Sequence, residues 1–173
     1  MPPSSIIFLD IDGVLNSVET RMSAPTSLSL IEASRPAPTL LERLARLCTA
    51  TSSALVLSST WRLSTSERDE VEASLSGAGL QPLFGDTPIT THPTGGAADR
   101  AAEIRQWLAE SAPVSVVAWL ALDDLDLHGW CPELVPEQHF ELVDDAVGLS
   151  DANVDSAIAK LQQQMSRQPM PGL

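Results

Sequence analysis

Tyrosine is absent from this sequence, and four tryptophans and three phenylalanines in 173 residues are too few rings to build a stacking platform for single-stranded nucleic acid. Cysteine is scarce as well. Cys48 and Cys131 lie far apart, with no CxxC and no histidine at ligand spacing, which argues against a zinc site or a disulfide framework. Lysine occurs once, as Lys160, so a cation needed anywhere else must be an arginine. The sequence holds no apolar run of about 18 residues, the length of a membrane span. Met1 to Ser5 carries no basic residue ahead of its short apolar stretch. These absences lead to the expectation of a soluble, cytoplasmic protein with no membrane partner. Basic charge is short too: 23 acidic against 10 basic residues give −13, which opposes strong nonspecific binding to nucleic acid or anionic lipid. The length fits one domain with a real core, expected over 1–166, with a frayed tail over 167–173.

What the chain does have begins at Ile6-Ile7-Phe8-Leu9, an apolar run without polar alternation, as in a strand covered on both faces. It runs into Asp10-Ile11-Asp12-Gly13-Val14-Leu15-Asn16. In open α/β sheets ligands collect at the carboxyl ends of strands, so Asp10 and Asp12 are expected at the mouth of a crevice, with Ile11 turned to the core. Asp and Gly are also ordinary turn residues, and an Asx-type turn closing the strand is the plainer alternative. Electrostatics favours the first reading, because two carboxylates so close at the end of a buried strand repel unless a cation joins them. An all-oxygen site of this kind suits Mg2+.

Further along, Ser17 to Pro38 reads as an irregular excursion, and Thr39 to Ala50 as a crossover helix with Leu40, Leu41, Leu44 and Leu47 on its buried side. Ala54 to Leu57 is a second strand, ending in Ser58-Ser59-Thr60-Trp61-Arg62. Ser64-Thr65-Ser66-Glu67 fits a capping box for a helix to about Gly77, which leaves the earlier hydroxyls for another task. Gln81 to Gly96 reads as a loop with a short strand near Leu83-Phe84 and an exposed His92. Ala98 to Glu110 is a helix whose first turn holds Arg100, a cation set against the helix dipole unless it meets an anion. Val114 to Leu122 is a further apolar strand, again ending in acids, Asp123-Asp124 and then Asp126. A Pro-containing loop over His128 to Gln138, a last strand over His139 to Val143 and a terminal helix capped by Ser150 complete the pattern. Asp126, Asp144 and Asp145 read as solvated loop acids.

Asp-x-Asp-Gly-Val-Leu after an apolar strand resembles the first motif of the haloacid dehalogenase (HAD) superfamily, most of whose members are Mg2+-dependent phosphohydrolases. The resemblance implies that Asp10 is the nucleophile and a metal ligand. Asp12 becomes the general acid/base and lends the metal its backbone carbonyl. The second motif, a Ser or Thr that holds a phosphate oxygen, corresponds best to Ser58, with Ser59 the close rival and Thr60 and Arg62 flanking. The block Ser-Ser-Thr-Trp-Arg resembles a subgroup of the superfamily found in RNA-repair proteins. The third motif is usually a lysine; Lys160 lies beyond the fourth motif, so the role passes to Arg100, with Arg105 the alternative. Asp123-Asp124 resembles the fourth motif, which completes the metal shell, and the sequence does not rank the two.

Alternation of strand and helix argues for an α/β fold, doubly wound around a mainly parallel sheet of about five strands, a HAD-like Rossmannoid. The intervals between motifs are too short for a folded cap, so a minimal cap or none, and an open site, are expected. The function these readings imply is a Mg2+-dependent phosphatase acting through an aspartyl phosphate on a large phosphorylated substrate, a nucleic-acid end or a protein. The alternative is a catalytically silent domain that binds a phosphorylated partner or serves in protein interaction.

Overall fold

The structure, a computed structural model, describes residues 2–28, 34–89 and 96–167. Strand β1 (Ser5–Leu9) is buried along its whole length. It pairs on one side with β2 (Ala54–Leu57) and on the other with β4 (Ala118–Asp123). Strands β3 (Gly85–Asp86) and β5 (Phe140–Leu142) complete a five-stranded, all-parallel sheet in the order β3-β2-β1-β4-β5.

Because side chains alternate along a strand, β1 feeds two cores. Ile7 and Leu9 join the core made with α2 (Pro38–Thr51), α3 (Thr65–Gly77) and α6 (Asp151–Ser166), through Leu44, Leu47, Val71, Leu75, Val154 and Leu161. Ile6 and Phe8 face α4 (Ala97–Glu110) and α5 (Leu127–Trp130), where Ile104, Trp107 and Leu127 close over them. Phe8 meets Trp107 and Trp119 edge-on, with ring centroids 5.4 and 5.9 Å apart. Each large side chain buried in this way contributes about 1.5–3 kcal/mol, so both layers hold β1 where its carboxyl end must lie.

The helices start where local chemistry allows. Pro38 opens α2, Ser64 accepts from the Glu67 amide to cap α3, and Ser150 with Asn153 forms a reciprocal capping box for α6. The expected excursion after β1 is more regular than its composition implied. Ser17 caps the five-residue helix α1 (Val18–Met22), which presents no buried residue and so carries no apolar periodicity to read. The short edge strand lies at Gly85–Asp86 rather than Leu83-Phe84, and β4 starts at Ala118 rather than Val114. The loop expected over His128 to Gln138 begins inside α5 and ends in a 3-10 turn, Glu137–His139. Among the described residues no second sheet occurs in either interval where a cap could be inserted. His92 and the tail beyond Arg167 lie outside the described residues.

Candidate active site

The sheet order makes β1 and β4 the place where the winding reverses, since β2 and β3 lie to one side of β1 and β4 and β5 to the other. A crevice opens outside the carboxyl ends of strands at such a point. The register sets the two acidic motifs side by side. Leu9 pairs with Leu122, and the Asp10 amide donates to the Leu122 carbonyl at 3.1 Å, so Asp10 and Asp123 leave the sheet as neighbours. Ligand atoms of Asp10, Asp123 and Asp124 all lie within 4.8 Å of one another.

Arg100 enters the same space from α4. Its Nη1 donates to Asp123 Oδ2 at 2.7 Å and forms an ion pair with Asp10 Oδ1 at 2.9 Å, so the cation misplaced against its helix dipole finds its anions here. Three carboxylates against one guanidinium leave a surplus of two negative charges when all are ionised. Burial amplifies that surplus: Asp10 is 2% exposed and Asp123 1%. Desolvation is the largest influence raising the Asp10 pKa well above the ordinary carboxylate range; the Asp123 charge adds to it, while Arg100 and a hydrogen bond from the Ser59 side chain work the other way. Asp123 is pushed up to about 6, again chiefly by burial, against the pull of Arg100 and of the Leu125 amide. Burial also works against the Arg100 charge, but Asp10 and Asp123 overcome it and raise its pKa. A surplus of two, on oxygen donors only, fits a hard divalent cation.

Gly13 makes the close approach of the motifs possible. Its φ is +76°, and a Cβ there would stand 2.7 Å from Asp124 Cγ. Any other residue would strain the turn and displace an acid of the cluster.

Asp12 stands apart from the cluster. It is exposed, its Oδ1 accepts from Asn16 Nδ2 and its Oδ2 from Trp61 Nε1, both at 2.9 Å. Neither Asn16 nor Trp61 was singled out from sequence. Ser58 and Ser59 are both buried at the end of β2, where the Ser58 amide donates to the Leu9 carbonyl at 3.0 Å. Of the two, Ser59 is the one whose side chain acts to lower the Asp10 pKa, and its hydroxyl accepts from the Trp61 amide at 3.4 Å. Thr60 is exposed at the start of a 3-10 turn, Thr60–Leu63.

Arg62 departs from the expectation that it flanks a substrate. Its guanidinium donates to the carbonyls of Ser58, Ser59, Thr87 and Pro88 and to Glu103 Oε2, the last at 2.6 Å. These five bonds use all the donors an arginine has, and the side chains of Arg62 and Glu103 are only 5% and 4% exposed. It therefore ties the end of β2, the exit of β3 and helix α4 together. Arg105, the alternative to Arg100, is exposed and lines a different cavity with Trp119 and His139. Asp126 is exposed and caps α5 by accepting from the Gly129 amide at 2.7 Å, and Asp144 and Asp145 are exposed, as expected of all three.

A parallel doubly wound sheet carrying an Asp-x-Asp-Gly turn, an acidic pair on the neighbouring strand and a buried cation between them defines a HAD-type domain. Residues 6–154 match the family described as the HAD domain in Swiss Army Knife RNA repair proteins, and the chain belongs to that family. No curated protein and no solved structure matches it.

Proposed function

We propose that the protein is a Mg2+-dependent phosphohydrolase that works through an aspartyl phosphate on Asp10, and that its substrate is the phosphorylated end of a nucleic acid. The observation that carries the reading is the cluster of Asp10, Asp123 and Asp124, with Arg100 paired to the first two, an anionic surplus that a divalent cation would fill and so make room for a phosphoryl group. Bound Mg2+ would be held by those three carboxylates and would supply positive charge that keeps them ionised and offsets the phosphoryl oxygens.

In the first half-reaction a carboxylate oxygen of Asp10 attacks phosphorus. The bond from phosphorus to the leaving oxygen breaks, and the Asp12 carboxyl gives its proton to that oxygen. In the second, water attacks the phosphorus of the aspartyl phosphate while Asp12 takes the proton. The bond to Asp10 breaks, releasing inorganic phosphate. Arg100 neutralises charge on the nucleophile and on the transferred group, and the Ser58 and Ser59 hydroxyls orient phosphoryl oxygens.

The family supports a nucleic-acid substrate, whereas the charge limits how it is held. Of Arg21, Arg35 and Arg62, the arginines that could gather at a rim, Arg62 is buried in its clamp and Arg35 pairs with Glu70 at 3.1 Å, while Arg21 is exposed on α1. Recognition therefore rests on the terminal phosphate rather than on the strand, and its salt dependence should be shallow. The test is phosphate release with Mg2+ from nucleotides, sugar phosphates and oligonucleotides ending in 3′- or 5′-phosphate. Release from oligonucleotide ends that stops on chelation is the expected result. Tight binding of the same ends without turnover would point to the silent reading instead.

A further inference from the structure

Asp12 is asked to do the proton work from an exposed position, where an aspartate side chain ordinarily samples several rotamers. Here it is held from both sides. Asn16 Nδ2 donates to Oδ1, and Asn16 is itself fixed by accepting from the Gly13 amide at 3.1 Å and donating to the Ser34 carbonyl at 2.6 Å. Trp61 Nε1 donates to Oδ2 at 2.9 Å from a ring that is 8% exposed and belongs to the core shared by β1, α2 and α3. The turn that carries the ring is anchored by its neighbour Arg62, whose five bonds reach three segments. Rotation of the Asp12 carboxylate would break at least one of two hydrogen bonds to donors that cannot follow it.

We propose that Trp61 is a positioning residue for proton transfer. Its indole N–H fixes the Asp12 carboxyl where it reaches the leaving oxygen in the first step and water in the second. The inference rests on the phosphohydrolase reading and deepens it. Its physical basis is that a proton donor helps only when held within hydrogen-bond reach of the acceptor, and an anchored ring loses no further entropy in holding it. Packing does not demand the N–H: an apolar ring of similar shape would fill the same space. The nitrogen is thus the chemically informative atom.

The experiment compares wild type with Trp61→Phe, and with Trp61→benzothienylalanine, which keeps the bicyclic shape and loses only the donor. The readout is kcat/KM with Mg2+, which reports steps up to the first phosphoryl transfer. An alkyl phosphate needs its leaving oxygen protonated, whereas p-nitrophenyl phosphate depends on this far less. Both variants are expected to lose about thirtyfold on the alkyl ester and about threefold on the nitrophenyl ester, a share of the 10²–10⁴ that general acid catalysis supplies. Equal losses on both esters would mean that Trp61 merely supports the fold, and would overturn the proposal. Independently of turnover, the Trp61 indole 1H–15N signal, assigned by its disappearance in Trp61→Phe, is expected to move when Asp12→Ala removes the acceptor. An indole signal that ignores Asp12→Ala overturns the contact and the inference with it. A wild type inert on both esters and on phosphate-ended oligonucleotides fails the phosphohydrolase reading and the catalytic use of the contact, and an indole that still answers Asp12→Ala then shows the contact itself intact.

Discussion

Arg100 and Arg62 are both buried arginines near the carboxyl ends of the strands, yet their surroundings are built on different principles. Arg62 meets one carboxylate, Glu103, and four backbone carbonyls, so its charge is matched once and every donor is used. Arg100 meets two carboxylates, with a third, Asp124, beside them. A matched pair with all donors satisfied is a fastening; a buried cluster left with excess charge is a site that waits for something to bind. In that cluster burial raises the carboxylate pKa values of Asp10 and Asp123. The two arginines are coupled through α4, because Glu103 lies one turn beyond Arg100. The fastening thus helps set where the Arg100 cation stands.

The largest expected effect probes the unbalanced cluster. Asp10→Asn keeps the side-chain volume but removes the proposed nucleophile, and should lower phosphate release by about 10⁴-fold or more. Circular dichroism should remain native, and the melting temperature of the metal-free protein should rise, since a repelling buried charge is gone. Wild-type turnover in the folded variant would refute the nucleophile assignment. Next, Arg100→Ala should cost about 10³-fold, the scale of removing one group that stabilises transition-state charge. Arg100→Lys should retain appreciable activity, because charge near phosphate matters there more than the fork. If Arg105→Ala proved crippling and Arg100→Ala harmless, the comparison drawn between the two buried arginines would lose its functional half.

The same contrast explains what the sequence disclosed. Asp10, Asp12, Asp123 and Asp124 were legible because each sits where an apolar run stops, and the end of a strand is a local signal. Arg100 was legible from its unfavourable place in a helix. The parallel fold followed from alternation, with boundaries out by a few residues where strands are as short as Gly85–Asp86. The parts of the scaffold were not legible. Trp61 bonds Asp12 across 49 positions and Arg62 bonds Glu103 across 41, and no local pattern announces a partner so distant. Arg62 looked like a phosphate ligand because its residue type and its place after the hydroxyls are the same for either role.

A smaller effect is expected at the fastening. Arg62→Ala or Glu103→Gln should lower stability by about 3 kcal/mol, the scale of breaking a buried ion pair. Arg62→Lys should rescue little, since three ammonium donors cannot replace five arranged in a fork. Here the expected order reverses relative to Arg100, where lysine should be tolerated. Chemical denaturation of the three variants measures it, and a well-tolerated Arg62→Lys would erase the distinction between charge and geometry.

The smallest expected effect is a pH dependence that belongs to the unbalanced cluster alone. In the metal-free protein Asp123 has its pKa raised to about 6, above its value in the unfolded chain. The folded state therefore binds the proton more tightly than the unfolded state, and stability should increase as pH falls through that range and be lost again as pH rises. Between pH 7 and pH 5 the gain from this residue is about 1 kcal/mol. Half-buried His139, whose pKa is lowered mainly by desolvation, acts in the opposite sense, because acid must charge it in the unfolded chain first. Subtracting the profile of Asp123→Asn from that of the wild type removes the histidine contribution and isolates the cluster, Asp123 together with the response of Asp10 to its charge. Saturating Mg2+ should flatten the remaining difference, since a bound cation holds the carboxylate ionised throughout the range. Denaturation midpoints at pH 5, 6 and 7, with chelator and with Mg2+, give the four profiles. A difference profile that was flat without metal would mean that Asp123 is already balanced by Arg100, and the cluster would then be a second fastening rather than a site.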